Sequence, residues 1–420
     1  MTKILHYQVT PLGKDATGYM SVIRRVQLEW SCNDSELPNS VIIKIPFTAA
    51  VHDALDKSSG TTSRQEDMNL LQKVFHSVES RFYGIIQGEE QKPLLVPTIY
   101  ANEDSDANQP VIVMQDYHSC YVVDLVQGFS EKQLFAIVDQ IVKLQAFAIR
   151  NEKCGAFQRP RELRGPVTSA VISAPAHLKC IKIFMANTFD RDHDWMTKLV
   201  NEYENGGLCR SRKQWKKMDQ LMGTFTDQCK LICLNLMESA PAHLKCIKIF
   251  MANTFDRDHD WMTKLVNEYE NGERSSVLTH GDLWSANILW RDNASIGGIV
   301  DWQGAHRGSP VEDLLRVLST STTTENRRRF LRPLLDCYRR KMVDILGDDA
   351  MFSRESIDEE LRHFAPLGCM MTIFATAMWI NSSVLEKDGE STTCRRNEMV
   401  RRCSCYVEDV AALCGWSQML

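Results

Sequence analysis

Three polar residues in the second half of the chain have the types and spacing that phosphoryl transfer needs: Asp282, Asn287 and Asp301. The reaction needs a carboxylate that accepts the proton of an attacking hydroxyl, and oxygen ligands that hold Mg²⁺ against the phosphates of ATP. Asp282 suits the role of base. Asn287 and Asp301 suit the metal, because the hard Mg²⁺ ion prefers carboxylate and amide oxygens together with water. The alternative is a polar loop and an acidic strand end of any α/β protein.

The segment between Asn287 and Asp301 predicts that the two residues lie close together. Residues 286–290 (ANILW) form an apolar run, residues 291–295 (RDNAS) have turn composition, and residues 296–300 (IGGIV) are apolar again. Two apolar runs on either side of a turn indicate a β-hairpin. A hairpin would return Asp301 to the neighbourhood of Asn287, so one ion could contact both.

Two residues upstream are predicted to form an ion pair that orients the phosphates. Lys44 stands in the apolar run 41–46 (VIIKIP), where a lone charge is costly unless it is paired. Glu79 falls on the apolar face of a helix predicted around residues 70–86. Protein kinases use such a pair to place Lys on the phosphates of ATP. The alternative is that Lys44 reaches solvent and Glu79 lies at the edge of the apolar face.

The remaining site predictions follow from the order of motifs along a kinase chain. His280 precedes Asp282 in the His-x-Asp-Leu-x-x-x-Asn spacing of the kinase catalytic loop, so we assign it to catalysis. Gly13 and Gly18 bound a loop between two predicted strands, which could fold over phosphates or be a simple hairpin turn. Gln115 and Tyr117 follow a strand at the position of the kinase hinge, where backbone groups would hydrogen-bond adenine.

Longer motifs around the site resemble a known family. Residues 277–290 (VLTHGDLWSANILW) and 297–319 (GGIVDWQGAHRGSPVEDLLRVLS) closely resemble the CHK kinase-like, or ecdysteroid-kinase-like, family, which is related to choline kinases and aminoglycoside phosphotransferases. The family pattern H-x-x-E-x-x-F-Y is present at residues 76–83. The resemblance implies an α+β, two-lobed, protein-kinase-like fold, with a nucleotide-binding lobe over 1–116 and a mainly helical catalytic lobe over 117–420. It also implies ATP and Mg²⁺ as cofactors and a small-molecule hydroxyl acceptor, such as a steroid-like or choline-like alcohol.

Four further residues bear on this resemblance. Asp313 resembles a family position that buttresses the catalytic loop. Gln145 stands where the family usually has the His of Leu-His-Ala, so any role of that His is absent or replaced. Trp284 and Trp302 lie beside the predicted catalytic residues, where they could form an apolar or cation-holding wall or could simply pack.

Composition indicates an ordinary soluble protein. Of 420 residues, 44% are hydrophobic and 25% are charged. The net charge of −5 gives no electrostatic case for a nucleic-acid partner. No apolar signal segment stands at the N-terminus, so we expect a cytoplasmic protein with reduced cysteines.

Apolar residues 364–380 are slightly few for a membrane span, so we interpret them as a buried helix. The basic helix predicted over residues 326–342 is interpreted as a solvated face.

A 34-residue segment, residues 173–206, recurs without a single change at residues 239–272. Structural repeats diverge and need three or more units, so two identical copies indicate a recent exon duplication or an error in the gene model. The second copy leads almost directly into the motif at 277–290. We therefore predict that the second copy is packed in the catalytic lobe and that the first lies at its periphery.

Three functions compete at this stage. The first is an ATP- and Mg²⁺-dependent kinase for small molecules; protein substrates are less expected, because no Ala-Pro-Glu motif follows Asp301. The second is a kinase-like binding protein without turnover. The third is a metal-dependent hydrolase that uses Asp282 and Asp301, which would give Lys44 no task.

Overall fold

The computed structural model describes ten stretches of the chain: residues 3–12, 21–32, 37–47, 65–89, 92–105, 107–150, 229–236 except 231 and 235, 245–270, 272–347 and 352–416. Gly13, Gly18 and the whole first copy of the repeated segment lie outside them.

A five-stranded antiparallel sheet with one long helix forms the small lobe, in the strand order β1-β2-β3-β5-β4. The strands are β1 (Ile4–Pro11), β2 (Ser21–Trp30), β3 (Ser40–Pro46), β4 (Ile99–Glu103) and β5 (Val111–Gln115). Helix α1 (Gln65–Gln87) packs against β3 and β4. The central position of β3 between β2 and β5 buries Lys44 in the lobe.

Helices make up most of the large lobe. The described helices are α2 (Glu131–Arg150), α3 (Lys245–Asn253), α4 (Trp261–Glu270), α5 (Glu312–Thr320), α6 (Thr324–Leu346), α7 (Arg354–Ile380) and α8 (Thr392–Leu413). The short strands are β6 (Tyr121–Val122), β7 (Val277–Thr279), β8 (Ile288–Trp290), β9 (Ile296–Ile299) and β10 (His306–Gly308). Strands β8 and β9 form the predicted hairpin, joined at its edge by β6, and β7 pairs with β10. The α+β, two-lobed, protein-kinase-like architecture is confirmed.

Helix α2 begins and packs as its sequence requires. Ser130 and Gln133 form a capping box, in which the Ser130 backbone N–H donates to Gln133 Oε1 at 3.0 Å. Gln145 is fully buried in this helix and accepts from the Tyr338 hydroxyl at 2.5 Å. It also donates to the Pro310 carbonyl at 3.4 Å. Gln145 therefore connects α2 to α6 and to the segment that leads into α5.

Two expectations about the helical lobe have different outcomes. Helix α7 is the one helix in the described residues that is long and apolar enough to cross a membrane, and 67% of its most apolar window is buried within the protein. This burial agrees with a core helix. The expectation of a solvated basic face on α6 is wrong for Arg327, because its side chain is 3% exposed, pairs with Asp409 at 2.6 Å and lies over the ring of Tyr406.

The second copy of the repeated segment is built into the core of the large lobe. It provides α3 and α4, whose side chains Ile247, Phe250 and Met262 are completely buried. Cys246 of the same segment approaches Ser404 on α8 at 3.5 Å. This agrees with the prediction that the second copy is packed; the half of the prediction that concerns residues 173–206 lies outside the described residues.

Candidate active site

The two lobes meet at a buried lysine. Lys44 Nζ lies 2.5 Å from Glu79 Oε2 on α1 and 2.5 Å from Asp301 Oδ1, which follows β9 in the large lobe. Lys44 and Glu79 are buried, whereas the Asp301 side chain is 25% exposed. The predicted Lys44–Glu79 pair is therefore present, and the structure adds Asp301 as a second partner from the other lobe.

Charge and burial oppose each other in this cluster. Burial acts to lower the pKa of the Lys44 ammonium, but the carboxylates of Asp301 and Glu79 outweigh it and raise that pKa above its ordinary value. Burial raises the pKa of Glu79, with the charge of Lys44 opposing. We regard Lys44 as charged throughout the neutral range, because two carboxylates lie within hydrogen-bonding distance of its nitrogen.

The β8–β9 hairpin brings Asn287 and Asp301 together as predicted. The backbone N–H of Val300, next to Asp301, donates to the Asn287 carbonyl at 3.0 Å. Asn287 Nδ2 donates to the Asp282 carbonyl at 2.9 Å, so its Oδ1 is the atom left for a cation. Asp301 has φ = 67° and is the one non-glycine residue with positive φ in the described chain. Such a conformation costs free energy and is concentrated at functional sites, which agrees with a carboxylate held in a fixed direction.

The loop that carries Asp282 requires glycine at position 281. Gly281 has φ = 78°, and a Cβ there would lie 2.2 Å from the carbonyl oxygen of Gly304. The loop is held by Asp313 on α5, whose carboxylate accepts the backbone N–H groups of His280 at 2.8 Å and Gly281 at 3.0 Å. Burial raises the pKa of Asp313 to about 7, with the neighbouring charge of Glu312 adding to the effect and the two N–H donors opposing it. Asp313 thus buttresses the loop, as the family resemblance implies.

His280 has a positioning role in this geometry. The ring is 1% exposed, Nε2 lies 3.0 Å from the Val300 carbonyl, and Nδ1 accepts the Asp282 backbone N–H at 3.2 Å. These contacts fit the neutral tautomer with hydrogen on Nε2, and burial lowers the pKa of His280 in the same sense. Since both ring nitrogens are used within the protein, the assignment of His280 to catalysis is revised: it holds Asp282 relative to the hairpin.

The two tryptophans beside the motifs have different surroundings. Trp302 is 1% exposed and stacks on Phe82 of α1, with ring centroids 3.9 Å apart. It therefore packs the lobes together and does not line an acceptor site. Trp284 is partly exposed and stacks on Trp379 of α7 at 5.0 Å, beside Asp282 in the chain.

Arg316 is a residue of the site that sequence reasoning missed. Its Nη2 donates to Asp282 Oδ1 at 2.8 Å and its Nε lies 3.2 Å from the same oxygen. Its Nη1 donates to the Met371 carbonyl on α7 at 3.2 Å, and its guanidinium lies 5.7 Å from the Trp379 ring centroid. The sequence spacing could have predicted it. Arg316 lies three residues after Asp313, so both project from one face of α5 toward the loop that carries Asp282.

The two predicted hinge residues are partly occupied by contacts within the protein. The Gln115 N–H donates to the Thr98 carbonyl at 2.8 Å, and the Tyr117 carbonyl accepts from Cys120 N at 2.8 Å. Each of these two atoms thus has a hydrogen-bond partner within the protein. The Tyr117 ring packs on Gly298 of β9 so closely that a Cβ there would lie 2.4 Å from it.

Comparison with known proteins gives both a family and distant relatives. The model of the DUF1679 family, described as "Uncharacterized oxidoreductase dhs-27", matches residues 6–227 and 238–416, which include both copies of the repeated segment. The uncharacterized oxidoreductase dhs-27 of Caenorhabditis elegans is 22% identical over 352 residues, which are 80% of this chain and 35% of that protein. The uncharacterized kinase-like protein D1044.1 of the same organism is 20% identical over 303 residues, 71% of this chain and 63% of that protein.

The chain thus spans less than two thirds of the length of either curated relative. Among solved structures, an ethanolamine kinase from Plasmodium vivax is similar with 12% identity and a TM-score of 0.39, and the match covers 96% of this chain and 83% of that one. The family model accounts for nearly all of the sequence. The chain belongs to the DUF1679 family.

Proposed function

We propose that this protein is a small-molecule kinase that transfers the γ-phosphoryl group of ATP to a hydroxyl group. The observation that carries the proposal is the convergence of Lys44 and Glu79 from the small lobe with Asp301 from the hairpin, next to Asn287 and the Asp282 loop. Phosphoryl transfer depends almost entirely on positioning and charge neutralisation, and this arrangement supplies both.

Each residue has a defined task in the proposed reaction. Asp282 accepts the proton of the acceptor hydroxyl while Arg316 fixes its carboxylate through Oδ1. Lys44 contacts the ATP phosphates, and Glu79 keeps it aligned. Asn287 Oδ1 and the Asp301 carboxylate would hold Mg²⁺, since they offer the amide and carboxylate oxygens that this ion prefers. A bound Mg²⁺ would supply neutralisation of the negative charge on the phosphates.

The acceptor is proposed at the level of its class. Trp284 is partly exposed, stacks on the buried Trp379 and follows Asp282 by two residues, so it offers an aromatic surface that suits an alcohol with an apolar or cationic body. The steroid-like or choline-like acceptor that the family resemblance implies has such a body. An oxidoreductase role suggested by the name of dhs-27 has no support in this sequence: no two of its glycines stand two positions apart, so the dinucleotide-binding pattern G-x-G-x-x-G is absent.

The proposal is tested by measuring ADP release with and without hydroxyl-bearing metabolites, together with product detection by mass spectrometry. A kinase forms a phosphorylated alcohol in step with ADP. ADP release without any acceptor would favour the hydrolase, and ATP binding without ADP release would favour the inactive binding protein.

The matched variant is Asp282→Asn, which keeps the size of the side chain but removes the base. Turnover is expected to fall by about 10²–10⁴-fold, the usual worth of general acid–base catalysis. Affinity for ATP, measured by calorimetry, should barely change. Near-normal turnover in this variant would overturn the assignment of Asp282.

A further inference from the structure

A cleft of about 560 Å³ opens in the large lobe, lined by residues other than those of the candidate active site. Its lining comes from three stretches, residues 253–274, 359–366 and 413–416, at the ends of α3 and α8, at the start of α4 and along α7. The catalytic loop and the β8–β9 hairpin contribute no lining residue among those described. Its volume lies in the range of sites that hold small molecules.

The apolar part of the cleft is aromatic. Trp261 and Trp416 both line it, and both rings pack around the buried Phe250, at centroid distances of 6.2 Å and 5.9 Å. The indole N–H of Trp261 is buried and has no hydrogen-bond partner within the described residues. Because this nitrogen is covered by the protein, the cleft offers the ring faces of the two tryptophans, and not this donor, to a bound molecule.

Most charged groups of the cleft are already compensated. Arg274 donates to Glu268 at 2.8 Å and also contacts Glu359 and Glu360. Asp258 pairs with Lys264 at 2.5 Å.

Two arginines of the cleft have no such ion pair. Arg257 and Arg362 line the cleft, both are exposed, and neither has an ion pair with another described residue. The lining side chains thus carry three guanidinium groups against two carboxylates, and the two guanidinium groups without an ion pair lie beside the aromatic surface.

We infer that this cleft binds a small molecule in which an anionic group is attached to a flat apolar body. Guanidinium groups bind carboxylate, sulfate and phosphate oxygens through charge-assisted hydrogen bonds, so Arg257 and Arg362 would hold the anion. The body would stack on Trp261 and Trp416. Arg257 and Trp261 belong to the second copy of the repeated segment, which gives that copy a binding role in addition to its packing role.

Calorimetric titration with naphthalene-2-sulfonate tests the inference, with uncharged naphthalene-2-methanol as the comparison ligand. The test variant is Arg257→Gln/Arg362→Gln. The matched control is Lys248→Gln/Arg354→Gln, which removes the same charge from exposed residues on α3 and α7 that do not line the cleft. Arg257→Gln leaves the identical Arg191 of the first copy unchanged, so the result also assigns the site to one copy.

The parent and the control variant are expected to bind the sulfonate at one site with equal affinity. The Arg257/Arg362 variant should bind it at least about tenfold more weakly, the effect of losing charge-assisted hydrogen bonds. The neutral alcohol should bind the parent at least about tenfold more weakly than the sulfonate. Equal binding by both variants, equal binding of the two ligands, or no saturable binding of the sulfonate by the parent would each overturn the inference.

Discussion

Replacing Lys44 with Met would leave the Glu79 carboxylate in the interior without its cation. Glu79 is 1% exposed, and its Oε2 lies 2.5 Å from Lys44 Nζ. Asp301 would lose the same partner, but its side chain is 25% exposed and can be hydrated. Breaking a buried ion pair by removing one partner costs about 3–5 kcal/mol, because the remaining charge is uncompensated. We expect a loss of that size for Lys44→Met near pH 8, and most of it should arise from Glu79.

The loss should depend on pH, with a sign that identifies Glu79. Burial raises the pKa of this carboxyl above its unfolded value, and removing Lys44 raises it further. A group with a raised folded pKa contributes stability that is fully present below the unfolded pKa and is lost as the pH rises through the folded pKa. The free energy of unfolding of Lys44→Met should therefore recover as the pH falls toward about 4.5, the unfolded value.

The assay is urea unfolding at a series of pH values, followed by circular dichroism. The double variant Lys44→Met/Glu79→Leu should recover much of the loss at pH 8, because apolar replacement of a whole buried pair is often near neutral. Lys73→Met, at an exposed position on α1, is the control and should have little effect. A cost below about 1 kcal/mol for Lys44→Met, with no recovery in the double variant, would refute the reasoning.

Two further predictions concern the catalytic loop. Arg316→Met should lower turnover by about 10–100-fold without changing ATP affinity, because it frees the Asp282 carboxylate held at 2.8 Å; Arg316→Lys should restore little, since an ammonium cannot form both bonds of the guanidinium. Steady-state kinetics would test this, and a variant that changes only the ATP affinity would contradict it. Burial lowers the pKa of His280 in the folded protein. The contribution of His280 to the free energy of unfolding is therefore fully present above its unfolded pKa of about 6.5, and it is lost as the pH falls through the folded pKa. The stability difference between the parent and His280→Asn should therefore shrink as the pH falls below about 6.5 in urea unfolding experiments, whereas parallel curves would mean that His280 titrates alike in both states.

Short sequence patterns were enough to predict most of the fold and the central residues of the site. The apolar runs around residues 291–295 predicted the hairpin, and the buried charges of Lys44 and Glu79 predicted their pairing, because both depend on one element and its nearest neighbour. Contacts between elements that are distant in the sequence were harder to predict. The pairing of Arg327 with Asp409 depends on how α6 meets α8, so charge alone indicated solvent. Arg316 was missed because only the packing of α5 against the loop brings it to Asp282.

Glycines show the same limit. The glycine between His280 and Asp282 was visible in the sequence, but the reason for it was not. The backbone at 281 has positive φ and passes close to the Gly304 carbonyl, a contact between two turns that no local pattern encodes.

The repeated segment provides a comparison between two identical residues. Phe250 of the second copy is completely buried and packs against Phe255, Trp261 and Trp416. Its counterpart in the first copy is Phe184. Phe250→Asp removes a large core side chain and adds a buried charge, so it should cost at least about 3–5 kcal/mol and abolish folding of the large lobe. Phe184→Asp makes the same chemical change and should have little effect, because the place in the core is already filled. Urea unfolding of the two variants side by side decides the matter: equal losses would mean that both copies are built into the folded protein.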